Sequence, residues 1–150
     1  MIKQYNKDIN SIRAFFNGSE LEYSIESTTN CSDGFVIPFC TDDEEVLSSF
    51  FDIESSKSFY AVIFTNKRLI QLSTCGQRFI SLDSVPYSKI ACWERVYTLD
   101  SYEKEVRFDI YGSKLDDGHS ELFCKFEFDI TDDYNAFEKL LVEKVNNNSK

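Results

Sequence analysis

Near the start of the chain, apolar side chains fall at Tyr5, Ile9, Ile12, Phe15 and Phe16. This spacing puts them on one helical face and predicts a helix over residues 5–16. Asn17-Gly18 supplies its stop, because both residues tolerate the left-handed cap conformation. Leu21, Tyr23 and Ile25 alternate as a short strand would, and the remainder of 19–34 reads as loop. Thr41-Asp42-Asp43-Glu44 has capping-box spacing, with acids placed to favour a helix dipole. Val46, Leu47, Phe50 and Phe51 follow at helical spacing. A helix over 42–52 is expected, with a strand as the alternative.

From residue 58 the period drops to 2. Phe59 to Phe64 is a short apolar run, Thr65-Asn66-Lys67-Arg68 interrupts it, and Leu69, Ile70 and Leu72 resume it. Two such runs around an Asn-containing tetrapeptide predict a hairpin. Cys75-Gly76 is the next turn, and Phe79, Ile80 and Leu82 form a strand ended by Asp83-Ser84. Another strand holds Ile90, Cys92 and residues 95–97. Val106, Phe108 and Ile110 alternate with Arg107, Asp109 and Tyr111, and Leu122, Cys124, Phe126 and Phe128 alternate with Phe123, Lys125, Glu127 and Asp129. Tyr134, Phe137, Leu140, Leu141 and Val145 then make a helical stripe, capped by Thr131, Asp132 and Asp133. Pro86 suits an edge or a strand start, with Tyr87 and Ile90 packing inward.

The order helix, helix, about six antiparallel strands, helix is an α+β pattern. Phe64-Thr-Asn-Lys-Arg-Leu-Ile70 and Ser84-Val-Pro-Tyr-Ser-Lys-Ile90, preceded by the acidic Asp43-Glu-Glu-Val46, carry a more specific signal. With a closing helix behind them, these strings resemble the bacterial pleckstrin-homology-like domains. The resemblance spans about residues 42–145. It implies a bent antiparallel barrel or sandwich of about 6–7 strands closed by a C-terminal helix. Residues 1–41 would be an N-terminal helical extension and residues 146–150 a disordered tail. The resemblance also implies a non-enzymatic scaffold that self-associates or binds proteins. It does not imply phosphoinositide binding.

Composition narrows the function classes. The chain is 42 % hydrophobic and 15 % aromatic, which suits a folded core and excludes wholesale disorder. No apolar run approaches the ~18 residues of a membrane span, and no signal peptide is expected at the N-terminus. Five cysteines without a C-x-x-C pair, and a single His119, do not make a zinc site and read as free thiols in a reducing cytoplasm.

The net charge of −10 is unevenly spread: −8 over residues 1–56, +4 over 57–95 and −6 over 96–150. Such a chain is repelled by nucleic acid and by anionic lipid, which disfavours both as direct partners. The basic middle offers Lys67, Arg68, Arg78 and Lys89 as a candidate patch, unless acidic neighbours in the fold neutralise it. The acidic pairs Asp42/Asp43 and Asp116/Asp117 are candidate contacts for a basic partner.

Catalytic groups are not expected. A nucleophilic triad would need His119, which follows Asp116-Asp117-Gly118 in a turn that fixes no tautomer. The paired carboxylates lie at helix starts and turns, where water solvates them. Asp-Asp-Gly lacks the alternating ligands of a calcium loop, and 5 glycines provide no phosphate cradle. Neither a cofactor nor a metal is therefore expected. Two functions remain: a protein–protein interaction or assembly module, which would form a homo-oligomer, and an acidic inhibitor, as of a phage or immunity system, that blocks a basic partner.

Overall fold

The computed structural model describes residues 12–25, 35–55, 58–75, 79–100, 102, 104–114, 120–130 and 134–148. The chain forms two compact units, Lys3–Asp83 and Ser84–Lys150, with Met1–Ile2 grouped with the second.

The first unit begins with an antiparallel meander, β1 (Ile12–Asn17), β2 (Glu20–Ile25) and β3 (Phe35–Pro38). A four-stranded antiparallel sheet follows in sequential order: β4 (Val46–Ser55), β5 (Ser58–Thr65), β6 (Arg68–Cys75) and β7 (Phe79–Pro86). In the core of this unit, Leu21 and Phe39 cluster with Phe51, Phe59, Ala61, Ile63, Ile70 and Leu72, and Ile37 packs against them. The meander thus covers one face of the four-stranded sheet. Residues of the other face, Phe50, Val62, Phe64 and Leu69, are buried as well, with the Phe50 and Phe64 rings edge to face at 6.1 Å.

In the second unit, a 3-10 turn (Tyr87–Lys89) leads into β8 (Ile90–Leu99), β9 (Lys104–Lys114) and β10 (Ser120–Asp129), an antiparallel sheet with β9 central. The helix α1 (Tyr134–Asn148) packs on the face carrying Val106, Phe108, Phe126 and Phe128. Phe137 is fully buried there, its ring centroid 5.0 Å from Phe108, 5.4 Å from Phe126 and 5.2 Å from Phe128. Tyr87 and Ile90 point inward, as the Pro86 reading required.

Four expectations need correction. Residues 12–16, assigned to the first helix, are strand: Ile12 pairs with Ile25 and Phe16 with Leu21. Gly18, at φ 64°, turns a tight hairpin where a helix cap was expected. Residues 5–11 of that helix lie outside the described residues. The second helix, 42–52, gives way to its alternative, a strand: residues 46–55 form β4, with Phe50 opposite Val62 and Phe51 opposite Ala61. Both faces of β4 are covered near these residues, so adjacent apolar residues are required, and such a run imitates a helical stripe.

The other two corrections are smaller. Among the described residues no sheet closes on itself, so the antiparallel sheets form no barrel. Finally, α1 runs to Asn148, past the expected start of the tail, because Val145 is buried and anchors the last turn.

Candidate functional site

Among the described residues, a densely bonded polar cluster lies where the β5–β6 hairpin meets the 41–45 turn. The turn closes through a backbone bond from Glu44 N to Thr41 O at 3.0 Å. Thr41 N in turn donates to Glu44 Oε1 at 3.0 Å. The capping-box spacing therefore keeps one of its two bonds, the Thr41 amide on the Glu44 carboxylate, in a turn that leads into a strand.

Glu44 is buried, its side chain 1 % exposed. Arg68 reaches it from the start of β6 and donates from Nε to Oε2 at 2.8 Å and from Nη2 to Oε1 at 3.0 Å. The same Nη2 donates to the carbonyl of Phe39 at 2.8 Å. Thr65 Oγ1 donates to Glu44 Oε2 at 2.7 Å. It also accepts the amides of Lys67 and Arg68 at 3.1 and 3.0 Å, which shapes the hairpin turn. Burial opposes ionisation of Glu44, but the bonds from Arg68, Thr41 and Thr65 outweigh it and hold the carboxyl at about 2.

Asn66 continues this latch. Its Oδ1 accepts the Glu45 amide at 2.8 Å, and its own amide donates to Glu45 O at 3.0 Å. Outside the buried pair, Lys67 Nζ meets Asp43 Oδ2 at 2.7 Å in an exposed bridge, and the hydrogen bond from Lys67 lowers the Asp43 pKa. Cys40 lies nearby, its thiol pushed up first by burial and then by Glu44, so it stays protonated.

These contacts locate the candidate residues. Asp43 and Lys67, drawn from the opposing acidic and basic sets, are partners of one another. Arg68 belongs to the buried pair, and Asp42 is exposed in the same turn. Lys89 is exposed at the end of the 3-10 turn in the second unit. Arg78, Asp116, Asp117 and His119 lie outside the described residues. Sequence reasoning missed the Glu44–Arg68 pair. The Thr41–Glu44 spacing carried its signal, but the helical reading aimed the glutamate at the chain's own first turn.

The second unit has ionic contacts of its own. On β9, Arg107 holds the buried Asp109 with Nε on Oδ1 at 2.8 Å and Nη2 on Oδ2 at 3.1 Å. Arg95 on β8 pairs with Glu138 of α1 at 3.0 Å and lies 5.6 Å over the ring of Tyr97. Tyr97 meets Tyr134 edge to face at 6.4 Å. Beyond these contacts β8 is open: no residue from Ala91 to Leu99 is buried, Tyr97 is 43 % exposed and Leu99 80 %. Among the described residues no cluster of three His, Cys, Asp or Glu side chains is placed to hold a metal, and no helix is long and apolar enough to cross a membrane.

Four antiparallel strands, then three, then one C-terminal helix make this a pleckstrin-homology-like fold. Among solved structures, the chain is similar to a DUF1696 family protein with a pleckstrin-homology domain from Shewanella loihica PV-4. The TM-score is 0.53 and the identity 20 %, over 71 % of this chain and 83 % of that one. It is also similar to a pleckstrin homology domain from Shewanella amazonensis SB2B, with a TM-score of 0.51 and 18 % identity over 71 % of this chain and 87 % of that one. No protein-family model matches the sequence, and no curated protein matches it.

Proposed function

We propose that this protein is a non-enzymatic interaction module, working in the cytoplasm, that uses its pleckstrin-homology-like scaffold for protein–protein assembly. One observation carries the reading. The charged residues of its most distinctive motif are paired within the chain, Arg68 with the buried Glu44 and Lys67 with Asp43 in an exposed bridge, while a long sheet edge presents apolar side chains outward. A motif engaged in this way supports the scaffold and leaves recognition to the surface. Exposed strand edges pair with other strands unless they are blunted.

Light scattering across a concentration series, at low and high salt, tests the reading. Assembly that persists in high salt supports it, because apolar contact and backbone pairing are weakly screened. A monomer at every concentration removes self-assembly and leaves a different protein as the partner. The acid surplus of the chain favours a second reading, an inhibitor docked by its acidic residues on a basic protein. Affinity would then fall steeply with ionic strength.

A further inference from the structure

We infer that the corner where the β8–β9 hairpin meets the end of β10 and the start of α1 docks a cationic, arginine-bearing segment of another protein. The inference rests on the protein–protein reading above and names the partner's chemistry.

The last row of the second sheet builds this corner. Leu99 is opposite Lys104, and Ile130 donates its amide to the Lys104 carbonyl at 3.1 Å. Leu99 and Ile130 lie two residues beyond Tyr97 and Phe128, so the row continues the face that carries α1. The helix stops short of it. Phe137 covers Phe108, Phe126 and Phe128, and α1 begins at Tyr134, whose ring meets Tyr97 one row earlier. Leu99 and Ile130 therefore keep apolar side chains in water. Tyr102, in the hairpin turn, is 94 % exposed. Tyr102 and Leu99 are the two most exposed large apolar side chains among the described residues, and they share one hairpin. With Ile130 and the half-exposed Tyr97 they form an apolar patch of the kind that marks contact sites.

The charges around the patch select its occupant. Asp100 follows Leu99, and Glu105 and Asp129 are opposite one another in the adjoining row, against the single ammonium of Lys104. This acid surplus repels an anionic lipid surface and the same corner of a second copy, and it attracts a cation. The tyrosines favour the same choice, because the negative face of an aromatic ring attracts a guanidinium. The chain makes this contact once already, with Arg95 5.6 Å over Tyr97. Tyr102 offers another ring, open to solvent beside the carboxylates. An arginine there can lay its apolar stem along the patch and keep its charge at the acidic rim, while a neighbouring aliphatic side chain packs on Leu99 and Ile130.

A synthetic peptide of alternating arginine and leucine, added to the isotope-labelled full chain, tests this by nuclear magnetic resonance. Its neutral counterpart carries citrulline for arginine, which keeps the shape and loses the charge. The arginine peptide should shift the signals of Leu99, Tyr102, Ile130 and Tyr134 to saturation. The citrulline peptide should bind about tenfold more weakly, because it has no charge to set against the acids. Leu99→Ser should weaken binding about tenfold and Tyr102→Ser about threefold. Neither variant should move the thermal midpoint, since both side chains already face water. High salt should weaken the binding without abolishing it, because the apolar part is not screened.

Equal binding of the two peptides, shifts confined to the 41–45 turn, or no saturation at millimolar peptide overturns the inference. So does binding to phosphatidylcholine vesicles containing phosphatidylglycerol that Leu99→Ser abolishes, which would make the corner a lipid contact. Light scattering judges the assembly reading separately. A failed peptide titration leaves an observed assembly standing, and a monomeric chain whose corner takes the peptide removes self-assembly alone.

Discussion

Arg68 grips both carboxylate oxygens of Glu44, with Nε and Nη2 at 2.8 and 3.0 Å, across 24 residues of sequence. The acid comes from the turn before β4 and the base from the start of β6. Their bond fastens the end of β3 as well, because the same guanidinium binds the Phe39 carbonyl.

Arg68→Met should therefore destabilise the protein by about 3–5 kcal/mol, since it leaves a buried carboxylate without its cation. Arg68→Met combined with Glu44→Leu should recover most of that loss. Urea unfolding of the two single variants and the double variant checks this. Equal losses for Arg68→Met and the double variant would show that the buried charge is not the source of the cost.

The same pair sets an acid limit. The Glu44 carboxyl titrates at about 2 in the fold against an ordinary 4.5, so its stabilisation is complete above pH 4.5 and is lost as pH falls toward 2. The full effect is about 3 kcal/mol. Urea midpoints between pH 7 and pH 2.5 should fall below pH 4.5. In Glu44→Gln that fall should be smaller, with lower stability at pH 7.

Asp43→Asn with Lys67→Gln should leave the unfolding midpoint close to that of the parent. Their bridge is exposed, with side chains 80 % and 46 % accessible, and water and salt compete for both groups. A large loss of stability would assign this outer bridge a structural role equal to that of the inner one.

Phe137→Ala should lower stability by about 3–5 kcal/mol, because it empties a site bounded by the Phe108, Phe126 and Phe128 rings. Thermal unfolding followed by near-ultraviolet circular dichroism reads the loss through those aromatics. An unchanged midpoint would mean that α1 does not depend on this contact.

The strands from 58 onward were legible in the sequence because their alternation reflects burial on one face or a short apolar run between turn residues. The hairpin at Asn66-Lys67 and the closing helix were legible for the same local reasons. Residues 12–16 and 46–55 were not. Ile-Arg-Ala-Phe-Phe and Val-Leu-Ser-Ser-Phe-Phe fit a helical stripe as well as a strand, and only pairing with Leu21–Ile25 and Phe59–Thr65 decides. Glu44 and Arg68 were each visible as charged residues beside turns. That they form one buried pair depends on bringing three strand ends together, which no local spacing encodes.

The packing of Leu21, Ile37 and Phe39 onto Phe51, Ala61, Ile70 and Leu72 carries the apolar core of the first unit beyond the segment that holds the two motif strings. A fragment starting at Thr41 would keep both motif strings and the closing helix. It would also bare an apolar sheet face that Leu21, Ile37 and Phe39 cover, and such faces aggregate. The segment with the motif strings and the unit that buries its own core have different borders, and the opening meander belongs to the second.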